Sequence, residues 1–234
     1  MLTKISITIY RYFFMLYIVP TPIWNLEDIT YRAVRILKEV DVVACEDTRT
    51  SGILLKHYDI QATKISYHSH SGKSKSDKII ELLKEWKDIA LISDAGTPGI
   101  SDPGYALMQD VLAENLEVTA LPGPSAVITA LSASGMSSHH FLYLWFLPVK
   151  KWRQTLLTRI SENKTETVII YESVHRIVKT LWDLEKYFGG DHKIVIGREL
   201  TKKFEEYIRG SISEVQKYFT ENTGKVKWEF VVLF

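Results

Sequence analysis

The chain has 234 residues, 46% apolar, 24% charged and 12% aromatic, which is enough apolar content for a packed core and excludes a disordered tail. Its 29 Lys and Arg against 28 Asp and Glu leave a formal charge of +1, so any nucleic-acid contact must be a local patch rather than a global basic field. A single cysteine, Cys45, excludes a disulfide scaffold and a multi-cysteine zinc site and fits a reducing compartment, the cytoplasm.

Residues 1–19 mix a weakly basic start with apolar residues, but Arg11 interrupts the run and no small-residue cleavage site follows, so no signal peptide is read. The run is also too short and too polar to cross a bilayer as a helix. The first orderly strand pattern begins at Leu16. Met15 therefore reads as the natural start, and residues 1–14 as an extension expected to pack poorly.

From Leu16 onward, short apolar runs alternate with helical patterns, the signature of an α/β protein with a largely parallel sheet. Leu16 to Val19 reads as a strand. Asp28 then caps a helix whose apolar positions Ile29, Ala33, Ile36, Leu37 and Val40 share one face. Strands follow at Val42 to Cys45, Lys64 to Tyr67, Ile89 to Ser93 and Val118 to Leu121. Between them lie helices near Thr50 to Tyr58, Ser76 to Glu85 and Tyr105 to Leu116.

Pro122-Gly123-Pro124 is the densest turn signal and sets the boundary between an N-terminal α/β domain over 15–123 and a C-terminal one over 124–234. Ser125 to Ser134 reads as a small-residue helix. After Pro148 come a basic helix from Lys151, a strand at Val168 to Tyr171, a helix from Val174 to Tyr187 and a strand at Ile194 to Ile196. Ile208 to Ser211, a helix from Glu214 and a strand at Phe230 to Phe234 close the second half. No repeat and no low-complexity stretch interrupts this order.

Absent motifs narrow the chemistry: there is no P-loop, no dinucleotide fingerprint and no nucleophile elbow. His68 and His70 lack nearby acidic or sulfur ligands, so they read as polar loop residues and no metal is expected. Ser93 through Gly104 is the richest segment. It follows a buried strand, carries Gly96, Gly99 and Gly104 with Pro98 and Pro103, and stands where open α/β sheets take ligands, at a strand's carboxyl end. Asp94 and Asp102 put carboxylates into it. Glu46-Asp47-Thr48-Arg49 ends the second strand on the same rim, where Asp47 serves equally well as a helix cap or as part of a binding group. The segments from Tyr171 to Arg176 and from Gly197 to Lys203 end strands of the second half in the same manner, so the two halves imply a cleft.

These segments resemble one family, the ribosomal RNA small subunit methyltransferase I group of the tetrapyrrole methylase superfamily. The resemblance runs through Thr21 to Thr30, Ala44 to Arg49, Ser93 to Gly104, Leu121 to Ala126, Phe146-Leu147-Pro148, Tyr171 to Ser173 with His175-Arg176, and Arg198 to Lys203. It implies two α/β domains of the tetrapyrrole methylase, or class III methyltransferase, type, with S-adenosylmethionine in the cleft between them. It further implies a homodimer and methylation of a cytidine ribose 2′-hydroxyl in the decoding region of small-subunit ribosomal RNA.

Position in the motifs marks Ile23, Thr97, Ile100, Ser125, Ala126, Tyr171 and, on the last strand, Glu229 as cofactor contacts. A ribose hydroxyl is a poor nucleophile, so a general base or oriented acceptor helps; Asp94, Glu46 and Asp47 are the candidates in that order. Arg49, Arg176, Arg198, Lys202 and Lys203 are placed to hold phosphates, and Lys150, Lys151 and Arg153 add a basic edge. Two other functions remain open: a tetrapyrrole substrate on the same fold, and a cofactor-dead RNA-binding protein if Trp24 fills the pocket.

The family pattern has glycine where this chain has Trp24, Trp86, Trp145, Trp152 and Trp228. Repeated exchange of the smallest residue for the largest at turns contradicts ordinary tolerance. UGA codons written as tryptophan, where the source reads them as glycine, would produce this pattern.

Overall fold

A computed structural model describes residues 14–68, 72–102, 104–150, 152–162, 166–227 and 229–234. Most of the expected extension, together with Ser69, His70, Pro103, Lys151 and Trp228, lies outside the described residues. The chain divides into two compact units: the chain through Pro22 with Leu26–Pro124, and Ile23–Asn25 with Ser125–Phe234.

In the first unit five strands, β1 (Met15–Ile18), β2 (Val42–Cys45), β3 (Thr63–Ser66), β4 (Ile89–Ile92) and β5 (Glu117–Ala120), form one sheet in the order β3-β2-β4-β1-β5. All its pairings are parallel. Between the strands run α1 (Tyr31–Glu39), α2 (Thr48–His57), α3 (Gly72–Lys84) and α4 (Gly104–Ala113). Strand alternation gives the sheet two apolar faces. Leu16, Ile18, Val42, Ala44, Ile89 and Leu91 pack on Ile79 and Leu83 of α3 and Leu107 and Val111 of α4. Val43, Cys45, Ala90 and Ile92 pack on Ala33, Ile36 and Leu37 of α1 and Leu55 of α2. Each fully buried Leu or Ile is worth about 1.5–3 kcal/mol of transfer free energy.

The cap of α1 is Thr30, whose side chain accepts a hydrogen bond from the Ala33 amide at 3.1 Å, and not Asp28 as the sequence suggests. Leu26–Asp28 form a 3-10 turn of their own, which delays the helix.

The second unit holds β6 (Phe141–Phe146), β7 (Thr167–Glu172), β8 (Lys193–Arg198), β9 (Glu206–Ser211) and β10 (Phe230–Leu233), in the order β6-β7-β10-β8-β9. Only β6 and β7 pair in parallel among these described strands; β10 lies antiparallel between β7 and β8, and β9 is antiparallel to β8. The expectation of a largely parallel sheet fails here. The last strand enters the middle of the sheet from α8, and its Phe230–Leu233 run is fully buried in either direction. Helices α6 (Trp152–Glu162), α7 (Ile177–Phe188) and α8 (Ile212–Glu221) cover one apolar face through Leu157, Leu181 and Val215. Helix α5 (Ala126–Ser134) covers the other: Val127, Ala130 and Leu131 meet Ile169, Val195, Val231 and Leu233. Ile23 joins this second cluster at 7% exposure, which is why Ile23–Asn25 belongs to the second unit.

Candidate functional site

Two adjacent parallel strands, β2 and β4, bring their carboxyl ends to one rim, with Cys45 opposite Ile92. Glu46-Asp47 and Ser93-Asp94 continue from those ends. The Asp94 carboxylate accepts the Asp47 amide at 3.2 Å. Desolvation raises the Asp94 pKa above the ordinary Asp value, with the negative charge of Asp47 adding to it. Burial raises the Glu46 pKa too, helped by the charges of Asp94 and Asp102. Asp47 behaves oppositely. It caps α2, accepts the Arg49 amide at 2.8 Å and pairs with the Arg49 guanidinium at 2.9 Å. These Arg49 contacts pull its pKa to about 2, so Asp47 is a fixed anion and a poor proton acceptor.

The loop after β4 is organised by backbone. Thr21 and Gly96 bridge reciprocally, with amide-to-carbonyl distances of 2.9 and 3.0 Å, and the Thr21 hydroxyl donates to the Ser93 carbonyl at 2.9 Å. Gly96 and Gly99 have φ of 84° and 85°, which favours glycine at both positions. Asp102 turns its carboxyl back to accept the amides of Gly99 and Gly104, each at 2.7 Å. Its burial nevertheless pushes its pKa up. Glu46, Tyr67, Ser93, Pro98, Asp102 and Gly104 help line a small open depression. Asp102 stands inside the glycine-rich segment, but nothing in the sequence signals that its carboxyl closes the loop. Thr97 donates to the Pro124 carbonyl at 3.1 Å, while Ile100 is exposed.

In the second unit Ser125 caps α5, accepting the Ile128 amide at 3.5 Å, and Ala126 begins that helix. Tyr171 on β7 packs against the same cluster as Ile23 and Ala126 and is hydrogen-bonded to the Val127 backbone and to Tyr143. Burial raises the Tyr171 pKa, Tyr143 adds to the shift, and the nearby charge of Glu229 contributes further. The expected cofactor residues are thus distributed: Ile23, Ser125, Ala126, Tyr171 and Glu229 in the second unit, Thr97 and Ile100 in the first.

Three arginines expected on a phosphate-binding surface are engaged inside the second unit. Arg176 pairs with the fully buried Glu172 at 3.3 Å and donates to the Leu147 carbonyl at 2.6 Å. Arg198 is 7% exposed and pairs with Glu199 at 3.5 Å and Glu206 at 3.3 Å. Arg153 is equally buried, at 2.7 Å from Asp183 and 2.8 Å from the Thr180 hydroxyl, which itself donates to Glu172 at 2.6 Å. Burial of a guanidinium demands such partners. Arg49 and Lys203 remain exposed, and Lys202 lies with its ammonium 4.2 Å from the centre of the Trp24 ring. The turn carrying these lysines is strained: Glu199 and Thr201 have φ of 49° and 64°. Sequence reading does not detect that strain. Among the described residues no cluster of His, Cys, Asp and Glu is arranged for a metal ion, and no helix is long and apolar enough to cross a membrane.

Comparison with known proteins adds to this geometry. A family model described as Tetrapyrrole (Corrin/Porphyrin) Methylases matches residues 15–216. A protein of Hydrogenobaculum sp. named ribosomal RNA small subunit methyltransferase I is 46% identical over 93% of this chain and 94% of its own. One of the same name from Streptococcus pyogenes serotype M3 is 47% identical over 90% of this chain and 73% of its own. Among solved structures, a diphthine synthase is similar in fold with a TM-score of 0.74 at 15% identity, covering 94% of this chain and 89% of that one. A uroporphyrin-III C-methyltransferase complexed with S-adenosyl homocysteine is similar with a TM-score of 0.61 at 17% identity, covering 94% and 91%.

Proposed function

The chain belongs to the ribosomal RNA small subunit methyltransferase I group of the tetrapyrrole methylases, and from that premise we propose that it methylates the 2′-hydroxyl of a cytidine in the decoding region of small-subunit ribosomal RNA. It is an S-adenosylmethionine-dependent ribosomal RNA methyltransferase. The observation carrying the finer reading is the 46% identity over 93% of the chain to a protein of that name.

The residues suit the cofactor. In the second unit Ile23 and the Tyr171 ring offer apolar surface for a flat base, and in the first the Thr97 side chain adds a polar group. We assign these residues, with Ile100, Ala126 and Glu229, to holding it. When bound, S-adenosylmethionine supplies an electrophilic methyl group that leaves a neutral thioether behind. The chain's own work is to place the ribose oxygen in line and to receive its proton. Asp94 is the first choice as acceptor and Glu46 the second: both stand at strand ends beside the glycine-rich loop, and desolvation moves both pKa values toward a working base. Asp47 holds α2 and Arg49 in place instead.

The exposed Arg49 and Lys203, with Lys202, are the phosphate contacts in this reading; Arg176 and Arg198 hold turns of the second unit instead. We assign the working form to a homodimer in the cytoplasm, where the small ribosomal subunit is its substrate. Mapping ribose methylation in small-subunit RNA incubated with the protein and labelled cofactor tests the proposal. A single new 2′-O-methylcytidine in the decoding region is expected. Label in a precorrin and none in RNA would overturn it.

A further inference from the structure

Three of the five tryptophans in the described residues, Trp24, Trp86 and Trp145, have positive φ, at 132°, 68° and 57°. A bulky side chain in that region is a genuine outlier, because its Cβ crowds the backbone carbonyl. Among the described residues eight non-glycine positions have positive φ, so tryptophan supplies three of eight. The remaining two described tryptophans, Trp152 at the start of α6 and Trp182 inside α7, are absent from that set.

Two of the three sit where a known backbone device calls for glycine. After α3 the Trp86 amide donates to the Leu83 carbonyl and the Lys87 amide to the Leu82 carbonyl, each at 3.1 Å. This is a Schellman cap with Trp86 at its left-handed position. The same unit contains two internal controls. After α4, Asn115 and Leu116 donate to Leu112 and Val111 at 3.0 and 3.3 Å; after α2, Asp59 and Ile60 donate to Lys56 and Leu55 at 3.3 and 2.8 Å. The left-handed residues there are Asn115 and Asp59, at φ of 56° and 52°, types that tolerate it.

Trp145 occupies a bulge. Tyr143 pairs with Ile169 but Phe146 with Tyr171, so β6 carries one extra residue against β7. A left-handed residue in a bulge is the place glycine takes. Trp24, at φ 132°, lies further from any conformation open to an L side chain. None of the three indoles is held by the core: they are 67%, 66% and 41% exposed.

We infer that positions 24, 86 and 145 are built for glycine, that the active protein carries glycine there, and that glycine at 145 uncovers the Tyr171 ring for the cofactor. The Trp145 indole now lies edge-on to Tyr171, with ring centroids 5.2 Å apart. This last step rests on the assignment of Tyr171 proposed above; the first two stand on backbone geometry alone. Position 152 has no such demand.

Four measurements decide it. The gene is expected to carry TGA at codons 24, 86 and 145 and TGG at 182, and peptides of the protein from its own source are expected to show glycine at those three positions. Tryptophan in those peptides overturns the inference. In the recombinant chain, Trp86→Gly should raise Tm by about 2–4 °C and Trp86→Ala should not, since alanine keeps the Cβ. Trp182→Gly, inside a helix, should lower it. Equal Tm for the glycine and alanine variants at position 86 overturns the inference too. Calorimetry with S-adenosylmethionine should show at least a tenfold gain in affinity for Trp24→Gly/Trp145→Gly. Stabilisation by glycine without that gain sinks the Tyr171 step and leaves the backbone assignment standing.

Discussion

Thr21 and Gly96 exchange two backbone hydrogen bonds, 2.9 Å one way and 3.0 Å the other, and so tie the loop leaving β1 to the loop leaving β4. The bridge forms because Gly96, at φ 84°, turns its amide and carbonyl toward Thr21, a conformation that a Cβ opposes. The proposed cofactor contacts Ile23 and Thr97 lie two residues and one residue beyond it.

Replacing Gly96 by alanine should therefore cost about 1–2 kcal/mol and lower Tm by several degrees. The loss of S-adenosylmethionine affinity should exceed that of Thr21→Ser, which keeps the backbone and the hydroxyl. Calorimetry of both variants makes the comparison, and equal affinities would contradict the positional role of the bridge.

The carboxyl of Glu172 is the hub of a buried network, reached by the Ser173 amide at 2.8 Å, the Thr180 hydroxyl at 2.6 Å and Arg176 at 3.3 Å. Glu172→Ala leaves Arg176 without its carboxylate and should cost about 3–5 kcal/mol. Glu172→Gln, which preserves shape and the acceptor oxygen, should cost less. Denaturant unfolding of the two variants measures the difference.

Proton acceptance by Asp94 or Glu46 has a pH signature. Each must be ionised to act, and each is raised by desolvation, so activity should fall as pH drops through a value above the ordinary 3.8 of Asp or 4.5 of Glu. The variant that removes the true acceptor, Asp94→Asn first, should lower kcat by about 10²-fold and abolish that acid limb. A limb that persists unchanged in both Asp94→Asn and Glu46→Gln would assign it to another group.

Exposed and buried cations should behave differently. Arg49→Ala and Lys203→Ala should weaken binding to small-subunit RNA and reduce the slope of log K against log salt by about one unit each, with Tm nearly unchanged. Arg198→Ala should instead lower Tm, because it strands the buried Glu199, whereas Glu206 keeps its pair with Lys225 at 2.7 Å. Filter binding over a salt series, beside thermal unfolding, separates the two classes.

What the sequence determined by itself is local. The apolar runs Val42–Cys45 and Ile89–Ile92 specify buried strands by composition, the spacing of Ala33, Ile36 and Leu37 specifies the face of α1, and the dense glycines after Ile92 mark the loop that lines the depression. Short-range periodicity and turn chemistry suffice for those features. Tertiary structure alone decided the rest. Phe230–Leu233 is equally apolar in either direction, so only its neighbours β7 and β8 make it antiparallel. Strand β6 was not legible, because it is an edge strand with exposed apolar residues and a bulge at Trp145 in place of clean alternation. Whether an arginine faces phosphate or a carboxylate of its own unit depends on partners such as Glu172, Asp183 and Glu206, brought close by folding, and a charge does not announce its partner.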